Sequence, residues 1–239
     1  MIRMKKIIIL TFFLACCING FSQFYTFDSI PDNLKKGADA VVRTGQCLFT
    51  VTEPGHATEK IRMAITILNE NADSYRYLAV MYDKYSRVNY IKGTVFDEKG
   101  IIIKSMGAQD IFDMSAISGG TFYSDDRMKV MRFPVNKYPF TIEYEYEVSY
   151  TSLINYSTWS FQVSRDLSVE NSGIQYVFPK DVKIRFSEQS LKNKVDSVIL
   201  ADKKIYTWQE NNIPAFSSLR PLEISAFSRP VLYAAPLEF

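Results

Sequence analysis

The chain has 239 residues, is 47% hydrophobic and 14% aromatic, and carries 28 Lys and Arg against 26 Asp and Glu. That apolar share can fill one large core or two small ones, and with only 10 Gly and 9 Pro it excludes collagen-like and disordered classes. A near-neutral balance with interspersed signs argues against nucleic acid and against an anionic membrane face as partners.

The first 23 residues form a separate unit. Arg3, Lys5 and Lys6 precede an apolar run from Ile7 to Cys17, and Gly20 and Ser22 place small residues where a signal peptidase needs them for a cut before Gln23. This predicts a secretory signal peptide over 1–23, its apolar run being short for a membrane span. Leu14-Ala15-Cys16 offers a lipobox-like alternative in which Cys16 carries lipid, with Phe13 a poor residue at its first position. Without the leader, 28 − 3 = 25 basic residues face 26 acidic ones, a net charge of −1. Cys16 and Cys17 belong to the leader, so Cys47 alone remains and no intrachain disulfide is available. The expected location is periplasmic or secreted.

Residues 24–39 open the mature chain. Ser29 and Ile30-Pro31-Asp32 predict a short N-terminal helix of at most two or three turns, with Leu34, Ala38 and Val41 facing inward and Gly37 weakening its end. From residue 40 the hydrophobic period becomes two. Strands are expected over 40–52, 58–69, 75–83, 87–97 and 101–105, with turns at Glu53-Pro54-Gly55-His56 and at Asp97-Glu98-Lys99-Gly100. Gly100 suits the left-handed position of the second turn. Residues 106–126 are irregular around Gly119-Gly120 and form the longest candidate functional loop. Strands resume over 127–133, 140–151, 157–165 and 173–178, and then over 182–187, 195–200 and 204–208 with a hairpin turn at Ala201-Asp202-Lys203. Strands at this spacing, with no long amphipathic helix and no internal repeat, predict an all-β fold, an antiparallel sandwich. A main β part over 24–165 and a smaller second β part over 166–239 of the same module are expected.

One strand invites a chemical reading. In 141–150, Glu143, Glu145 and Glu147 alternate with Ile142, Tyr144, Tyr146 and Val148. Carboxylates two apart on a strand lie about 6.6–6.8 Å apart on one face, which cannot wrap the six to eight oxygens that calcium takes. If 127–133 and 140–151 form a hairpin, the parity that buries the tyrosines sets Lys129 against Glu145 and Arg127 against Glu147. The row then reads as a solvated face neutralised by the adjacent strand.

Other residues raise candidates. Cys47 lies in a strand and His56 in the next turn, so the hairpin holds them apart, and Cys47 reads as a buried small hydrophobe. With His56 the only histidine, a metal site built from histidines is excluded. Asp125 and Asp126 beside Arg127, with Asp110 and Asp113 upstream, form a loop candidate. Their spacing matches no calcium-loop pattern, so a turn with a local ion pair is the reading and no metal is assigned. Tyr150, Tyr156 and Trp159 are the candidate ligand-binding residues, an aromatic platform for a glycan or peptide, although strand aromatics more commonly fill cores. No phosphate loop and no nucleophile turn is present, and no cofactor is expected.

Several groups occur in a familiar order: Val95-Phe96-Asp97-Glu98-Lys99-Gly100, Tyr123-Ser124-Asp125-Asp126-Arg127, Ile142-Glu143-Tyr144-Glu145-Tyr146, Trp159-Ser160-Phe161-Gln162 and Asn211-Asn212-Ile213-Pro214-Ala215. The order resembles the domain of unknown function 3857 family over essentially the whole mature chain, from about residue 30. The resemblance implies an all-β module, lying between a signal peptide and a transglutaminase-like domain in secreted bacterial proteins and carrying no known catalytic residues. The chain stops at Phe239, where such a domain would be expected to begin. The expected role is therefore a non-enzymatic module that positions or binds substrate for a downstream transglutaminase-like domain. The alternatives are a stand-alone periplasmic binder of envelope glycan or peptide, an enzyme using Cys47, and a structural interaction domain with an open edge strand.

Overall fold

Long runs of alternating residues pair with their neighbours wherever one face can be buried, and the chain builds fourteen strands on this rule among its described residues. The computed structural model describes residues 25–53, 55–116, 126–134, 137–153, 156–216 and 229–237. The expected signal peptide and Asp125 lie outside the described residues. In chain order the strands are β1 (Ala40–Glu53), β2 (His56–Ile67), β3 (Tyr77–Tyr82), β4 (Ser86–Phe96), β5 (Ile102–Met106), β6 (Ile111–Ser115) and β7 (Arg127–Arg132). Then follow β8 (Phe140–Tyr150), β9 (Trp159–Ser160), β10 (Leu167–Pro179), β11 (Ile184–Gln189), β12 (Asp196–Leu200), β13 (Lys203–Ile213) and β14 (Val231–Pro236).

An eight-stranded sheet runs β12-β13-β10-β1-β2-β8-β4-β5. Two three-stranded sheets, β11-β14-β9 and β3-β7-β6, pack on one of its faces through Trp159, Leu232, Leu78, Val80, Met131 and Phe133, all in one continuous core. The fold is an all-β sandwich with a short helix. That helix, α1 (Asp32–Lys35), is a single turn, within the expected limit, and Gly37 at φ 69° turns the chain away after it. Leu34, Ala38 and Val41 are buried as their spacing predicts.

The β1–β2 hairpin places Cys47 opposite Ile61 and Glu53 opposite His56, so thiol and imidazole are far apart along the strands. Gly100 takes φ 77° at its turn, and Leu200 pairs with Lys203 across Ala201-Asp202. One pairing departs from the antiparallel rule. β10 lies parallel to β1, with Cys47 opposite Ile174 and Phe49 opposite Tyr176. β10 therefore brings the C-terminal part of the chain into the main sheet beside its central strand. Phe49, Tyr176 and Phe178 are fully buried, each side chain contributing roughly 1.5–3 kcal/mol by leaving water.

The expected β7–β8 hairpin does not form. β8 pairs along its whole length with β2 on one side and β4 on the other, while β7 sits between β3 and β6 in a different sheet. The physical reason is that β2 and β4 meet the same parity condition along a longer ladder. Arg62 faces Glu145 and Lys60 faces Glu147 in register, and Tyr144 and Tyr146 fall on the core side. Lys129 instead reaches Asp113, with Nζ 2.7 Å from Oδ2.

The glutamate row thus lies on the outer face of the large sheet with close cationic and neutral partners. Glu143 accepts from Arg62 Nε at 2.7 Å and from the Tyr25 hydroxyl at 2.9 Å. Glu145 lies 3.3 Å from Lys60 Nζ and 3.1 Å from Lys92 Nζ, and accepts from the Tyr90 hydroxyl at 2.8 Å. Glu147 accepts from Asn89 Nδ2 at 2.7 Å. Burial alone would raise the Glu145 carboxyl, but the hydrogen bonds from Tyr90 and Lys92 and the nearby lysine charges outweigh it and hold it below its ordinary value.

Candidate functional site

Chemistry on this fold must be sought where the small sheets meet the segment between β8 and β9. That segment is held from below by Glu59. Glu59 points from β2 into the core, is only 8% exposed, and forms no salt bridge among the described residues. Its carboxylate accepts from the Tyr150 hydroxyl at 3.0 Å and from the Ser157 hydroxyl, and Cys47 Sγ lies 3.9 Å away. The Tyr176 hydroxyl in turn donates to the Ser157 carbonyl. A buried carboxylate costs several kcal/mol unless hydrogen-bonded, so this hub fixes the 156–158 stretch over β1 and β10.

The aromatic candidates come together, but they do not form an exposed platform. Tyr156 is 7% exposed and packs with tilted rings against Phe49 and Phe178 at centroid distances of 5.5 and 5.4 Å. Trp159 is 6% exposed, with its indole N–H donating to Ser172 Oγ at 3.1 Å. Tyr150 lies 6.5 Å from Phe49, its hydroxyl turned toward Glu59. Burial comes first in raising the Tyr150 hydroxyl far above its ordinary value, with the Glu59 charge adding to it. The correction to an exposed ligand-stacking platform is physical: Tyr156 and Trp159 are buried in the core, and the Tyr150 hydroxyl is engaged by Glu59.

The loop candidate divides. Arg127 pairs with Asp113 at 2.8 Å, and Lys129 and the Tyr82 hydroxyl converge on the same carboxylate. Lys129 first, then Tyr82, hold Asp113 well below the usual carboxylate range. Asp110 turns to Lys104 Nζ at 3.2 Å and to the Gly107 amide. The Asp126 carbonyl accepts from the Ala116 amide at 2.9 Å. Among the described residues no group of three His, Cys, Asp or Glu side chains is gathered as a metal site would need.

Two grooves flank the 150–158 segment. One, of about 370 Å³, runs between β3, β4 and the end of β8, lined by Met81, Tyr82, Tyr85, Asp126, Tyr150 and Leu153. The other, of about 410 Å³, has more candidate chemistry: it lies between Tyr156 and Thr158 on one side and Arg185, Phe186, Ser187 and Tyr233 on the other. It opens because β9 contributes only Trp159 and Ser160 to its pairing with β14. Beyond them, β14 has β11 on one side and the groove on the other, with Ala234 and Ala235 in its wall. Phe186 packs edge-on against Trp208 at 5.0 Å. Arg185 is exposed and makes no ion pair among the described residues. A cation, two aromatic rings and a strand edge together suit an extended peptide bearing a carboxylate. Arg185, Phe186 and Tyr233 had no local motif to announce them, since three distant segments meet there.

Cys47 is buried, and burial, with the Glu59 carboxylate beside it, pushes its thiol well above the ordinary range. That environment is opposite to the cationic one that activates a thiolate.

The family model described as Domain of Unknown Function with solved structure, DUF3857, matches residues 53–217. Among curated proteins none matches the chain. A solved structure of a candidate protease from Parabacteroides distasonis is 15% identical and superposes with a TM-score of 0.69 over 84% of this chain. The matched region is 41% of that protein, so the chain spans less than half its length. An M1 zinc metallopeptidase from Deinococcus radiodurans (9% identity, 84% of this chain and 43% of that one) gives a TM-score of 0.39. A candidate nutrient-binding protein from Legionella pneumophila (10% identity, 83% and 68%) gives 0.37. Likenesses at those two scores carry no argument.

Proposed function

The chain belongs to the domain of unknown function 3857 family, and on that premise we propose that it is a non-catalytic β module of a larger secreted protein, holding peptide substrate for a transglutaminase-like or peptidase catalytic domain in the cell envelope. The observation that carries this reading is the recurrence of the fold, at a TM-score of 0.69, as 41% of a longer candidate protease. The pattern of residues 1–23 supports export. The buried, acid-flanked Cys47 supports a role without nucleophilic chemistry.

The groove at Arg185, Phe186 and Tyr233 is the surface assigned to substrate. Its arginine and strand edge favour the carboxylate end of an extended peptide over an uncharged glycan. Trp208 reports on this groove through Phe186. A pentapeptide with a free C-terminal carboxylate is expected to change Trp208 emission saturably, and its C-terminal amide to bind about tenfold more weakly, the scale of one lost charge-assisted contact. Arg185→Ala should bring the acid and the amide to the same affinity. Equal binding of acid and amide to the unaltered chain, or a response to chitin fragments alone, would move the reading to glycan binding or away from this groove.

A further inference from the structure

Strand β14 is paired unequally on its two sides. β11 accompanies it from Val231 to Pro236, whereas β9 meets only Val231 and Leu232, through Ser160 and Trp159. In a paired strand each residue turns its N–H and C=O to one side and the next residue turns them to the other. Two bonds fix the phase. The Pro230 carbonyl accepts from the Phe161 amide at 3.0 Å on the β9 side, and the Leu237 amide donates to the Lys183 carbonyl at 3.0 Å on the β11 side. Leu232, Ala234 and Pro236 therefore turn their backbone groups toward the β9 side.

Leu232 has Trp159 as its register partner there, and Ala234 has none among the described residues. Continued by two steps, the same register would set Ser157 opposite Ala234. Ser157 is held elsewhere: its hydroxyl donates to Glu59 and its carbonyl accepts from the Tyr176 hydroxyl. The Ala234 N–H and C=O thus open on the groove that Tyr156 and Thr158 wall from the other side. Ala234 is only 7% exposed. Edge groups on a strand such as β12, whose five residues are all exposed, are served by water. A donor and an acceptor at a nearly buried position are costly to leave unmade. Pro236, next on the same side, has no N–H and offers a carbonyl alone.

These atoms select the occupant. A helix spends its own N–H and C=O groups internally, whereas an extended chain presents both to a strand edge. Arg185, the register partner of Ala235, stands one step from Ala234 and supplies the charge for a chain end. Resting on the peptide reading above, we propose that an extended peptide adds to the edge of β14, bonds both backbone groups of Ala234, and sets its terminal carboxylate at Arg185. Tyr233 to Pro236 is three steps of about 3.3 Å, roughly 10 Å, so the slot reads three or four residues. It reads them by backbone. Varied side chains are accepted there, and proline is refused at the residue whose N–H meets the Ala234 carbonyl.

The test titrates the full chain calorimetrically with the pentapeptide acid and with four derivatives, each N-methylated at one of its peptide bonds. A methyl group removes one donor and leaves the side chains and the carboxylate in place. Methylation at one of the two amides nearest the carboxylate is expected to weaken binding at least tenfold, and proline at that residue to do the same. Methylation at the two farthest amides should change affinity less than threefold. Residue-resolved hydrogen exchange reads the protein side: saturating peptide should slow exchange of the Ala234 amide at least tenfold. Four derivatives that bind like the parent overturn the proposal, and a persisting preference for acid over amide then leaves the peptide reading standing. No saturable binding of the parent peptide overturns both. An Ala234 amide equally protected with and without peptide also overturns the proposal, because its bonds are then met within the chain.

Discussion

Gly93 of β4 lies under the ring of Phe133: a Cβ built on Gly93 would sit 2.5 Å from Phe133 Cε1 and 3.0 Å from Met131 Sδ. Phe133 and Met131 are fully buried, so neither can swing away cheaply. The large sheet and the β3–β7–β6 sheet therefore approach each other through a missing side chain. Gly93→Ala is expected to cost about 1–3 kcal/mol, as overpacking does. Urea denaturation followed by tryptophan fluorescence measures it, and an unchanged midpoint would show that the Phe133 ring has room to move.

Glu59 gives a second, polar test of the core. Its largely buried carboxylate serves the hydroxyls of Tyr150 and Ser157. Glu59→Ala leaves both donors without a partner and should lose roughly 2–3 kcal/mol, whereas Tyr150→Phe should lose about 1 kcal/mol. If Glu59→Ala proves as stable as the unaltered chain, the hub does not hold the 156–158 stretch. The groove it frames would then lack a rigid wall.

Asp113 sets an acid limit. Lys129 and Tyr82 depress its carboxyl in the folded state, so the folded chain holds the charged form more strongly than the unfolded chain does. A depressed carboxylate adds stability above its unfolded pKa of about 3.9, and that share disappears as pH falls through this value toward the lower folded one. Unfolding midpoints should therefore be insensitive to Asp113 protonation from pH 7 to about 5 and decline below about pH 4. In Asp113→Asn the low-pH decline should be shallower. A decline of the same steepness in both would assign acid sensitivity to other carboxylates.

Cys47 should behave as a core side chain. With burial and then Glu59 raising its thiol, iodoacetamide at neutral pH should label it slowly in the native chain and promptly in denaturant. Rapid native labelling would contradict the buried, inactive thiol on which the non-catalytic reading leans.

Strands β1, β2, β4 and β8 were legible because their faces differ: Cys47, Phe49 and Val51 alternate with polar residues, and Gly100 marks a turn that only local chemistry decides. β10 begins six residues before its readable part because Leu167, Ser168 and Val169 are all buried, which removes the alternation. β14 was silent because Ala234, Ala235 and Pro236 carry little strand signal, and its place comes from pairing with the distant β11. The partner of Glu145 was misassigned because nearness in sequence stood in for nearness in the sheet. β7 follows Asp113 and Val80 into another layer, and Lys60 and Lys92 take its place. The groove was hidden for a related reason. Thr158, Arg185 and Tyr233 share no segment, and only the short β9 opens the space between them.

The central claim is that this module holds a peptide without transforming it. The most direct measurement incubates the chain with the C-terminal-carboxylate pentapeptide and an amine acceptor, reads binding by Trp208 emission, and then weighs the recovered peptide by mass spectrometry. The account predicts saturable binding, weakened by Arg185→Ala, with the peptide recovered at its starting mass. A cleaved or amine-linked peptide whose formation stops in Cys47→Ala would contradict it and make this module an enzyme in its own right.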